Sequence, residues 1–212
     1  MEPEEPAANA ARRPLASRST WWASYLANLL IKAGASPNAI STFSIFVAAL
    51  GAFLLICVPT PAGLVGAAFC IQLRLLCNML DGMVAIEGKR QSSTGALFNE
   101  IPDRIADSLF IVALGYSIGS PTIGWYGALA AAVTAYIRVL GGSLGLPQDF
   151  RGPMAKPHRM ATITVGCLLG AIELRVAGSH WALTAAAWIV AIGATLTCAR
   201  RALYIARQLS AK

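Results

Sequence analysis

After the first nineteen residues, long apolar runs alternate with short polar or proline-containing breaks. Thr20 to Ala33 is amphipathic, with Trp21, Trp22 and Tyr25 near its start, which predicts a helix lying in a membrane interface. Ser36-Pro37-Asn38 then breaks and caps the chain, and Ala39 to Val58 is long enough for a first span. Pro59-Thr60-Pro61 turns it again. Further spans are predicted over about 62–86, 95–118, 122–140, 160–176 and 181–199. Pro102 falls near the start of the third, which therefore either begins there or bends. The pattern predicts an all-α polytopic membrane protein of six transmembrane helices plus one interfacial helix.

Composition supports this. Of 212 residues, 56% are hydrophobic and 13% charged, too apolar for a soluble domain. Residues 1–19 read as a disordered cytoplasmic tail without the order of a signal peptide, and 20–212 as one membrane domain. The net charge of +7 is explained by topology. With the N-terminus inside, thirteen Lys and Arg residues between Arg12 and Lys212 fall on one side, against Arg175 alone on the other. Both termini and the polar turn near residue 90 are then cytoplasmic, in a cytoplasmic (inner) membrane. Basic residues interleaved with stacking aromatics are absent, which excludes a nucleic-acid partner; membrane lipids account for the charge. The five scattered cysteines contain no CxxC pair and read as free thiols.

Five of the ten acidic residues fall between Asn78 and Asp107: Asp81, Glu87, Glu100, Asp103 and Asp107. Acids at membrane depth are costly, so they mark a functional site. Asn78 and Asp81 share one helical face, as do Asn99, Asp103 and Asp107. If the flanking helices run antiparallel about the turn, residues whose numbers sum to about 181 lie level. Asp81 then faces Glu100, Asn78 faces Asp103, and Arg74 faces Asp107. An intramembrane arginine needs an acid, so an Arg74–Asp107 pair is expected to hold the helices together, with metal binding the rival role for Asp107. Asp81 and Asp103 have no protein cation at matching depth in this register, which favours a metal there.

Asn78-x2-Asp81-Gly82-x2-Ala85-Ile86-x8-Gly95-x3-Asn99-x3-Asp103 resembles the signature of the CDP-alcohol phosphotransferases (CDP-alcohol phosphatidyltransferases), D-x2-D-G-x2-A-R-x8-G-x3-D-x3-D. Every gap agrees, and Asp81, Gly82, Ala85, Gly95 and Asp103 match in type. Ser36-Pro37-Asn38 and the six-span layout are also similar, so the resemblance covers nearly the whole chain. The first and third aspartates are Asn78 and Asn99, and the arginine is Ile86.

The resemblance implies transfer of a phosphatidyl or other substituted phosphate group from a CDP-linked lipid such as CDP-diacylglycerol to an alcohol, releasing CMP, in phospholipid synthesis. It implies one or two divalent ions, Mg2+ or Mn2+, held by Asp81 and Asp103 with Asn78 and Asn99, while Glu100 restores charge. Asp103 takes the role of base. Gly82, Ala85 and Gly95 would border the donor nucleotide, with Lys89 or Arg90 replacing the lost guanidinium. Close helix packing is an equal reading of the glycines. Arg138, Arg151, Lys156 and Arg159 are candidates to bind an acceptor that carries its own phosphate, although topology alone also explains the loop cations. A homodimer is what the family suggests. The rival to an enzyme is a non-catalytic relative acting as a membrane partner or lipid-binding subunit.

Overall fold

The computed structural model of the chain describes residues 20–90 and 92–211. The tail expected over residues 1–19 lies outside the described residues. Among the described residues there are seven helices and no strand: α1 (Trp21–Lys32), α2 (Pro37–Cys57), α3 (Pro61–Glu87), α4 (Gly95–Ser117), α5 (Pro121–Ser143), α6 (Lys156–Val176) and α7 (Trp181–Ser210). Local chemistry sets the boundaries. Proline opens α2, α3 and α5, where its missing N–H costs nothing. The Ser36 and Thr60 hydroxyls accept from the Ala39 and Gly63 amides, capping α2 and α3. The Glu173 carboxylate accepts from the amides of Trp181 and Ala182, each at 2.8 Å, and so places an anion on the N-terminus of α7. Pro102 neither starts nor ends a helix: it lies inside α4, which continues past it.

The helices pack around one large apolar core that includes Leu55, Leu64, Ile71, Phe110, Leu114, Met160, Ile163 and Val190. Small residues let the backbones approach. A Cβ on Gly115 would lie 2.5 Å from the Gly124 Cα, so α4 and α5 touch backbone to backbone there. A second cluster seats Ala23 and Ala27 of α1 against Met79, Leu80, Met83 and Val84 of α3. Large apolar side chains face outward, among them Phe43, Phe46, Phe69, Trp125, Leu129 and Ile172. Only a hydrocarbon solvent suits such a surface, and the protein is an integral membrane protein.

Two expectations change here. The acidic stretch was expected to form a hairpin of neighbouring helices, but α2 packs against both α3 and α4, which make few contacts with each other. By length and apolarity, α2, α3, α5 and α7 qualify as spans; α4 and α6 do not. The reason is charge: α4 carries Glu100, Asp103, Arg104 and Asp107, and α6 carries Lys156, Arg159, Glu173 and Arg175.

Candidate active site

A polar cluster joins α3, α4 and α6; α3 and α6 already pack through the core, whereas α4 makes few contacts with either. Arg74 of α3 is 0% exposed, and its Nη2 donates to Asp103 Oδ1 at 2.6 Å and to the Asp103 carbonyl at 3.3 Å. Its distance to Asp107 Oδ1 is 3.9 Å. Asp107 takes its main partner from α6, where Arg159 Nη2 donates to Oδ2 at 2.8 Å. The expected Arg74–Asp107 ion pair is thus present, but it is the longer of the arginine's two, and Asp103 is its principal acid. Asn78 Nδ2 donates to Asn99 Oδ1 at 3.0 Å. These observed partners have numbers summing to 177, about one helical turn from the expected register. Equal distance from a turn means equal depth only for helices packed side by side, and here α3 and α4 each pack mainly on α2.

Asp103 is not the cation-free carboxylate the sequence suggested. Besides Arg74, it accepts from the Lys156 ammonium of α6, which also donates to Asn78 Oδ1 at 2.9 Å. Arg104 approaches Glu100, Asp103 and Asp107 at 3.6–3.9 Å. Asp81 differs. It is 5% exposed, accepts from Ser41 Oγ of α2 at 2.5 Å, and has no ion-pair partner among the described residues. It lies one helical turn beyond Asn78 on α3, and Asn78 accepts from Lys156, so Asp81 borders the same cluster.

Several assigned residues are engaged elsewhere. Glu100 turns from the signature positions to Arg138 Nη2, at 2.5 Å. Arg159 was expected in a cytoplasmic loop facing an acceptor; it is 1% exposed in α6, tied to Asp107 and to the Met154 carbonyl, and cannot do so. Arg90 Nη1 donates to the Ala35 carbonyl at 2.8 Å, anchoring the turn to the α1–α2 link. Lys89 adopts the left-handed region at φ 50°. A Cβ on Gly95 would meet only Ser92 Oγ at 3.6 Å, an ordinary contact, so close helix packing does not explain that glycine. Ala85 is buried and Ile86 exposed.

A second group of cations lies around α5 and α7. Arg138 Nη1 donates to Gln148 Oε1 at 2.8 Å, and its guanidinium lies 5.1 Å from the Phe150 ring. Arg201 is 5% exposed and donates only to carbonyls, those of Arg151 and Thr134, at 2.9 and 2.8 Å. Arg151 pairs with Asp149 at 2.9 Å and lies 4.3 Å from the Tyr204 ring. Ser41, Arg104, Gln148 and Arg201 are residues the sequence reading passed over. A serine on an apolar helix and an arginine just past a span were the only signals.

A bundle with lipid-facing walls and a buried acid–cation site on three helices defines a membrane enzyme of polar headgroup chemistry. The sequence matches the family model CDP-alcohol phosphatidyltransferase over residues 35–199. The phosphatidylinositol phosphate synthase of Streptomyces avermitilis is 27% identical over 191 residues, covering 86% of this chain and 77% of that protein. The archaetidylinositol phosphate synthase of Aeropyrum pernix is 32% identical over 145 residues, 68% of this chain and 72% of that one. The crystal structure of Mycobacterium tuberculosis phosphatidylinositol phosphate synthase in complex with manganese and citrate has a TM-score of 0.75 at 22% identity, covering 86% of this chain and 88% of that one. The same enzyme with CDP-DAG bound gives 0.73, covering 86% and 92%. The chain belongs to the CDP-alcohol phosphatidyltransferase family. It is an enzyme of phospholipid synthesis that moves a substituted phosphate from a CDP-linked donor to an alcohol.

Proposed function

We propose that the donor is CDP-diacylglycerol and that the acceptor is an alcohol already carrying a phosphate, in the manner of inositol phosphate. The observation that carries this is Arg201. A buried guanidinium that makes no ion pair among the described residues, beside a second buried arginine, Arg138, is costly unless an anion arrives. A phosphate is the anion whose geometry an arginine pair matches. The names of the relatives, phosphatidylinositol phosphate synthase and archaetidylinositol phosphate synthase, agree with it.

The family's chemistry uses a divalent metal, and the donor set fits one ion. Asp81 is a buried carboxylate without a protein cation, and oxygen ligands suit Mg2+ or Mn2+. Asp81 would hold the ion with help from the donor's phosphates and water, and Asn78, Asn99 and Asp103 border the place. When bound, the metal neutralises charge on the diphosphate. In the reaction the acceptor hydroxyl oxygen bonds to the lipid-side phosphorus, the bond from that phosphorus to the CMP phosphate oxygen breaks, and Asp103 receives the hydroxyl proton. Arg138 and Arg201 orient the acceptor through its phosphate. Gly82, Ala85 and Gly95 border the nucleotide, and Lys89 at the turn can reach it.

All six helices from α2 to α7 cross the membrane in this reading. The charges of α4 and α6 that matter, Asp103, Asp107 and Arg159, are buried, while Ile101, Ile105, Leu168 and Ile172 face outward. α1 lies in the interface, exposing Trp21, Tyr25 and Leu29. The site faces the cytoplasm in this reading, which the distribution of basic residues supports.

Purified protein supplied with CDP-diacylglycerol, Mg2+ or Mn2+, and matched phosphorylated and unphosphorylated alcohols tests the proposal. CMP release is expected with a phosphorylated acceptor. Release confined to unphosphorylated alcohols would overturn the acceptor class, and no release with any acceptor would favour the non-catalytic reading.

A further inference from the structure

Of four side chains that could ligate a cation, Asn78, Asn99 and Asp103 are joined through hydrogen bonds that take up their oxygens, and Asp81 lies one turn beyond Asn78 on α3. Asp103 gives Oδ1 to Arg74 and Oδ2 to Lys156. Asn78 gives its Oδ1 to Lys156, and Asn99 gives its Oδ1 to the Asn78 amide. Among the described residues no group of three His, Cys, Asp or Glu side chains could hold a metal. Asp81 is the one carboxylate of these four side chains without a cation partner among the described residues.

We propose that the Lys156 ammonium is a built-in cation of the reaction site, lodged between α3 and α4 where it bridges Asn78 and Asp103, so that the site takes a single divalent ion, on the Asp81 side. The physical reason is charge. Two carboxylates, one of them already shared by a guanidinium and an ammonium, cannot offset two divalent ions at membrane depth. An amide at position 78 suits a lysine neighbour, because its carbonyl oxygen accepts one ammonium hydrogen bond while adding no charge. Lys156 comes from the first turn of α6, so this helix carries the cation to the α3–α4 interface. With the donor bound, one divalent ion and one ammonium face its diphosphate. This inference rests on the proposed transferase reading.

The test is Mn2+ binding, followed by electron paramagnetic resonance on the full chain in detergent with saturating CDP-diacylglycerol. The wild-type chain is expected to bind one Mn2+; two or none would overturn the proposal. The N78D/N99D variant, with Lys156 kept, is expected still to bind one, and two would overturn it. Adding K156M to that variant is expected to admit a second ion, and continued binding of one would count against it. K156M alone guards against a misfolded triple variant. Its single ion should bind about tenfold more tightly, because a positive charge beside the metal has gone; unchanged or weaker binding would overturn the proposal. CMP release from the same wild-type sample separates the two ideas. Release with two bound ions overturns only the single-ion inference, and one bound ion without release overturns only the transferase reading.

Discussion

Arg74 on α3 donates to Asp103 on α4 at 2.6 Å, across two helices that hardly touch otherwise. The arginine is wholly buried, and two of its nitrogens, Nε and Nη1, have no hydrogen-bond partner in the structure. Its charge is thus matched only by Asp103 and, at longer range, Asp107. R74M keeps much of the side-chain volume and removes one cation from a cluster in which Asp103 keeps Lys156 and Asp107 keeps Arg159. It should lower stability by about 1.5–3 kcal/mol, the range for a lost hydrogen bond to a charged group. Thermal unfolding in detergent measures this, and an unchanged Tm would mean that the bridge contributes little.

Asp103 links Arg74 and Lys156, so it is a structural strut as well as the proposed base. D103N should therefore lower Tm and also reduce single-turnover CMP release by at least about a hundredfold. R74M breaks the same bridge and keeps the carboxylate. A larger rate loss in D103N than in R74M separates the base from the strut; equal losses would remove Asp103 from the chemistry.

Arg201 hydrogen-bonds only to carbonyl groups of the protein. R201Q should raise KM for a phosphorylated acceptor by about tenfold to a hundredfold, the loss of one charge-assisted hydrogen bond worth roughly 1.5–3 kcal/mol. KM for CDP-diacylglycerol should stay within about twofold. Equal increases for both substrates would show a general loss of the fold.

Gly115 and Gly124 bring α4 and α5 together with no room for a Cβ between them. G115V forces backbone apart from backbone and should cost about 1–3 kcal/mol or more. Because α4 carries Asp103 and Asp107, activity should fall with stability, measured as Tm and CMP release on one sample. A wild-type Tm would show that the helices separate there freely.

Asp149 lies in the loop between α5 and α6. Its burial opposes ionisation, but hydrogen bonds from Arg151 Nε and the Arg151 amide prevail and hold its carboxyl below the ordinary value of 3.8. A folded-state value below the unfolded one contributes stability above the unfolded pKa, lost as pH falls through the folded one. D149N should therefore cost stability at pH 7, by about 1 kcal/mol or less because Arg151 is largely exposed. The difference should shrink as pH falls below 3.8 and through the lower folded-state value. A difference independent of pH would mean that packing, and not the charge, is at work.

Helix positions were legible in the sequence because apolar runs and proline-bearing breaks are local. Ser36-Pro37 and Thr60-Pro61 start α2 and α3 through their own side chains and backbone, whatever lies around them. The family was legible too, since gap lengths along one chain survive the loss of individual letters such as the aspartates at positions 78 and 99. That acids cluster between Asn78 and Asp107 needed no structure either.

Which cation meets which acid was settled only by tertiary packing. Sequence distance from the turn placed Arg74 beside Asp107, which it does approach at 3.9 Å. It could not show that Asp103, a turn nearer the start of α4, is the closer partner, because α3 and α4 each pack on α2 more than on each other. Lys156 and Arg159 read as loop charges because nothing local shows that the start of α6 reaches the α3–α4 site. Spacing along a chain reports the faces of one helix. The partner of a long charged side chain depends on which other helices the core brings within its reach.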